Sequence, residues 1–137
     1  MLTEDYVSFE IAKLLKEKGF DAYCTQVYNI ESGKNLESDF YTCKYVYNSW
    51  LDKNEPRLIA APTLQLAMKW LRREHGLHCS VDYDYVLGWY CQITNLKETV
   101  EYDYEEMKHY HPEKDNGFSS PEEAYEVAIK YCLENLI

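Results

Sequence analysis

The run from Pro62 to Thr94, PTLQLAMKWLRREHGLHCSVDYDYVLGWYCQIT, changes its period at Gly76, and that change decides the fold. Before the glycine, Leu64, Ala67, Met68 and Leu71 recur at spacings of three and four, which places them on one face of a helix opened by Pro62 or Thr63. Lys69, Arg72 and Arg73 fall in the later turns, where cations complement the helix dipole. After the glycine the period is two. Leu77, Cys79, Val81 and Tyr83 alternate with His78, Ser80 and Asp82; past a turn near Asp84 to Gly88, Trp89, Cys91 and Ile93 alternate with Tyr90, Gln92 and Thr94. The second stretch folds back on the first as a half-buried hairpin.

Toward the N-terminus, Val7, Ile11, Leu14 and Leu15 define a helix from about Tyr6 to Lys18, closed by Gly19. Residues 22 to 30 and Phe40 to Tyr47 mix aromatic and β-branched types and read as two neighbouring antiparallel strands. Between Asn48 and Pro62 the periodicity dissolves into Asp-Lys-Asn-Glu-Pro, which reads as loop.

Toward the C-terminus, Thr99 to Tyr104 reads as one more short strand before a polar stretch. A last helix starts from Ser120 as N-cap, Pro121 at the first helical position and Glu123 three residues after the cap. Ala124, Ala128, Ile129, Cys132 and Leu136 form its expected buried face. This order of elements implies an α+β class, with an antiparallel sheet of four to five strands and three helices packed mainly on one face. With no internal repeat or linker, residues 1–137 are expected to form a single domain.

Composition limits the function. An apolar fraction of 46% and an aromatic share of 15% suit a chain that folds on its own core. The apolar runs, such as Leu58 to Pro62, are far shorter than the ~20 residues of a membrane helix, and acids follow Met1 where a secretory signal has basic residues. A cytoplasmic protein with no membrane partner is expected. Five cysteines, Cys24, Cys43, Cys79, Cys91 and Cys132, lack any C-x-x-C pairing and read as small buried thiols of a reducing compartment. A net charge of −10 repels phosphate backbones, so nucleic acid is a poor partner, and the Lys69, Arg72, Arg73 group beside Trp70 does not offset it.

Three segments resemble small proteins of gut Bacteroidales and their phages and mobile elements. They are Ala61 to His78, Ser8 to Phe20, and Glu122 to Ile137, in the same order. The resemblance implies a phage or mobile-element setting. It brings no catalytic residues with it.

No catalytic motif stands out from the residues. His75, His78 and Cys79, with His109 and His111, lack the spacing of zinc knuckles or of i, i+4 helical pairs, so no metal and no cofactor is expected. Glycine-rich phosphate loops, G-x-S-x-G and H-E-x-x-H are absent from the sequence. What remains is the interleaving of tyrosine with acid. Asp82, Tyr83, Asp84 and Tyr85, and then Glu101, Tyr102, Asp103, Tyr104, Glu105 and Glu106, are the candidate binding residues, because tyrosine joins a rigid apolar ring to a hydrogen-bonding tip. The reading that follows is a non-catalytic accessory or protein-binding module. Two alternatives stand beside it: an acidic inhibitor that imitates nucleic acid in the groove of a host enzyme, and a small enzyme with a histidine, cysteine or carboxylate site.

Overall fold

The computed structural model describes residues 2, 4–37, 46–103 and 117–137. They form an α+β protein whose strands lie in two antiparallel three-stranded sheets. The chain divides into two compact units, Met1–Leu66 and Ala67–Ile137.

In the first unit, helix α1 (Phe9–Glu17) starts where the Ser8 hydroxyl accepts a hydrogen bond from the Ile11 amide, and it buries Ile11, Ala12 and Leu15. Strand β1 (Gln26–Asn29) is central: it pairs with β2 (Asn35–Glu37) on one side and with β3 (Leu58–Ala60) on the other. Between them runs a short helix, α2 (Asn48–Asn54), which packs on β3 as α1 does. Val7, Phe20, Val27, Leu51 and Ile59 fill this core.

Helix α3 (Leu64–His75) begins in the first unit and continues into the second. The Thr63 hydroxyl accepts from the Leu66 amide at its start. Gly76 ends it at φ +67, a left-handed conformation in which an L side chain is strained. The chain then enters β4 (Leu77–Asp84), which pairs along its whole length with β5 (Gly88–Asn95). Strand β6 (Val100–Tyr102) adds to β5. Helix α4 (Pro121–Tyr131) covers the face of β4 and β5 that carries Cys79, Cys91 and Ile93, and a single π-helical turn, Cys132–Leu136, follows it.

Several expectations are corrected. The strands number six among the described residues and form two sheets rather than one of four to five, because β1, β2 and β3 satisfy one another while β4, β5 and β6 follow as local hairpins. The helices number four among the described residues, not three. The segment read as loop holds α2 and β3, and the stretch 22–30 pairs with Asn35–Glu37, inside what read as a connection. Most of the strand expected at Phe40 to Tyr47 lies outside the described residues; Val46 does pair antiparallel with Cys24. Leu133 takes the buried place expected for Leu136, which is only half-buried, because the π turn carries more residues per turn than the 3.6 of an α-helix.

Candidate binding surface

The register of the second sheet sorts its side chains. Cys79, Val81 and Tyr83 face the same side as Ile93, Cys91 and Trp89, the side covered by α4; His78, Ser80 and Asp82 share the other side with Thr94, Gln92 and Tyr90. Glu101 pairs with Thr94 and so joins the polar side, where the Gln92 amide donates to its carboxylate at 3.2 Å. Tyr102, opposite Ile93, falls on the helix side, half-buried, with its ring 6.1 Å from that of Tyr131.

The hairpin runs past the covered part of the sheet. At its end, Tyr83 is 57% exposed, Tyr85 89%, Val86 74% and Leu87 49%. Three contacts hold this end in shape. The Asp84 carboxylate accepts from the amides of Val86 (2.8 Å) and Leu87 (3.0 Å), and the Tyr83 ring lies on Trp89 at 5.0 Å. The third is the chain at Gly117 and Phe118, whose amides donate to the carbonyls of Leu87 (2.5 Å) and Trp89 (2.8 Å). The approach is so close that any Cβ at Gly117 would collide with those carbonyl oxygens. The Leu87 and Val86 amides hold the Asp84 carboxyl below its ordinary pKa.

The expected site residues are therefore only partly brought together. Tyr83, Asp84 and Tyr85 share the hairpin end, with exposed Asp82 beside them on the polar side. Glu101 shares that side with Asp82 but lies two strands over and four positions along, about 17 Å away by strand geometry. Tyr102 turns toward α4, and Asp103 is exposed just after β6. Tyr104, Glu105 and Glu106 lie outside the described residues. Val86 and Leu87, which sequence reasoning passed over, are the most conspicuous members of the surface; the signal was present as two apolar residues inside a turn, where polar residues usually stand.

Among the described residues the thiols and histidines give no comparable exposed cluster. Cys24, Cys79, Cys91 and Cys132 are buried and unbridged; Cys43 lies outside the described residues. The sulfurs of Cys79 and Cys132 approach to 3.8 Å. Burial pushes Cys24 up to about 12, burial with the neighbouring Cys79 pushes Cys91 to about 12, and the hydrogen bond with Cys79, then burial, raises Cys132. His75 rests edge-on against Trp70 at 4.8 Å, and His78 is half-buried opposite Thr94. His109 and His111 lie outside the described residues. Among the described residues no three of His, Cys, Asp and Glu are gathered as metal ligands would be, and no helix is long and apolar enough to cross a membrane. No family model, curated protein or solved structure matches the chain.

Proposed function

We propose that the chain is a non-catalytic accessory module that binds another protein through the end of the β4–β5 hairpin. The observation that carries this reading is the exposed Tyr83, Tyr85, Val86 and Leu87 on a backbone fixed by Asp84, Trp89 and Gly117. Apolar side chains held out into water in a defined shape lose solvent contact at little entropic cost when a partner covers them. The thiols support the non-catalytic part, since a nucleophile needs a lowered pKa and those of Cys24, Cys91 and Cys132 are raised. The resemblance of Ser8 to Phe20, Ala61 to His78 and Glu122 to Ile137 to proteins of Bacteroidales phages and mobile elements supports a partner in such a host.

The test is retention of host proteins on the immobilised chain, compared with a Tyr85→Ser, Val86→Ser double variant of equal unfolding midpoint. A discrete protein retained by the first and lost by the second is the expected result. If the same protein is kept by the double variant but lost on Asp82→Asn with Glu101→Gln, the carboxylates carry binding and the chain acts as an acidic mimic of nucleic acid. Retention indifferent to both changes would refute a role for this surface.

A further inference from the structure

We propose that a cleft in the first unit binds the head group of a small organic cation, an ammonium bearing methyl groups. This site uses none of the hairpin residues and does not depend on the reading above. The cleft holds about 160 Å³, close to the ~150 Å³ of an apolar cavity that admits benzene. Its lining includes buried Cys24 and Ala61, the tyrosines Tyr6 and Tyr23, and the polar Glu4 and Thr25.

Backbone hydrogen bonds hold the segments that carry Tyr6 and Tyr23. Tyr6 pairs with Thr63, flanked by Val7 N–H to Pro62 carbonyl and Leu64 N–H to Asp5 carbonyl, each 3.0 Å. Cys24, next to Tyr23, exchanges hydrogen bonds with Val46 at 2.7 and 2.9 Å, and the Tyr23 ring stands edge-on to Tyr47 at 4.9 Å. The Tyr6 hydroxyl lies 3.5 Å from the Thr25 hydroxyl. The parts are thus in place before a ligand arrives.

The chemistry of the lining selects the ligand. The face of a tyrosine ring is negative and attracts a cation, and pairs of such rings beside a carboxylate are what quaternary ammonium sites use. Among the described residues that line the cleft none is basic, and the chain's net charge of −10 has the same sign as Glu4. An anion finds no cation among these residues. The Cys24 thiol donates to the Ala22 carbonyl at 3.5 Å and is held neutral by burial, so with Ala61 it adds an uncharged, largely apolar part to the lining. Such a lining favours methyl groups over a fully hydrated ammonium.

The test is a titration of the whole chain, followed by NMR shifts, with choline and with 3,3-dimethylbutanol, its uncharged carbon isostere. Choline should saturate at concentrations up to about 50 mM and bind roughly tenfold more tightly than the alcohol. Tyr23→Ala, at a residue 66% exposed, and Glu4→Gln should each weaken choline about fivefold or more while the chain stays folded, as its unshifted NMR signals away from the cleft would show. A peptide carrying trimethyl-lysine distinguishes the sources: tighter binding than choline places the ammonium on a protein, weaker binding on a free metabolite, and either order sustains the site. Failure of choline to saturate, equal binding of the alcohol, or indifference to both substitutions overturns the proposal.

Discussion

Asn48 is buried to 4% exposure, the one polar residue so classed among those described, and both ends of its amide are used. Its Nδ2 donates to the Phe20 carbonyl and its Oδ1 accepts from the Ala60 amide, each at 2.9 Å. One side chain therefore ties the end of the α1 turn to strand β3. Asn48→Ala should cost about 1–3 kcal/mol, because the buried Ala60 N–H would lose its acceptor and the Phe20 carbonyl the amide that donates to it. Urea unfolding checks this through a lower midpoint at an unchanged slope. A loss below about 1 kcal/mol would mean that water replaces the amide. Nothing in the sequence marked Asn48, since an asparagine before Ser-Trp-Leu-Asp-Lys-Asn-Glu-Pro has the look of a turn residue. Its role depends on Phe20 and Ala60, which lie far from it along the chain. The cleft residues Glu4, Tyr6 and Tyr23 were hidden for the same reason.

At the scale of elements, legibility follows length and period. Helix α3 and the β4–β5 hairpin were readable because each repeats its pattern over eight or more residues and ends in a residue of fixed conformational role. By contrast α2 has seven residues with only Asn48 and Leu51 buried, and β3 has three, all buried, so neither displays a period. The start of α4 was readable from local chemistry alone. The Glu123 amide donates to the Ser120 hydroxyl at 3.1 Å, and the Glu123 carboxylate turns back to accept from the Ser119 amide and hydroxyl. Ser120→Ala removes one of these partners and should cost about 1 kcal/mol, read as a fall in the thermal or urea midpoint. Ser120→Asp should restore the loss, since its carboxylate accepts the same hydrogen bond and also faces the positive end of the helix dipole. If alanine and aspartate behave alike, the cap contributes nothing to the folded state.

Over the whole molecule, 24 acids stand against 14 basic residues; among the described residues Lys16 pairs with Asp52 at 2.7 Å and Lys130 with Glu134 at 4.0 Å, both with part-exposed lysines. Surface pairs of this kind contribute little, and the net charge of −10 acts as repulsion between parts of the folded chain. Unfolding separates those charges, which means the folded state carries the larger electrostatic penalty. Salt screens it, over about 10 Å at 0.1 M compared with about 30 Å at 0.01 M. Stability should therefore rise as sodium chloride increases from about 0.01 to 0.15 M, by on the order of 1 kcal/mol or a few degrees in Tm. Replacing Glu101, exposed on the polar side of the second sheet, by lysine should raise the low-salt midpoint and flatten the dependence. The opposite trend, a midpoint that falls with added salt, would show that attractive pairs outweigh the net charge. In that case the acids of the hairpin would also be locally neutralised, and the rate of partner binding would lose the salt dependence that a field of one sign imposes.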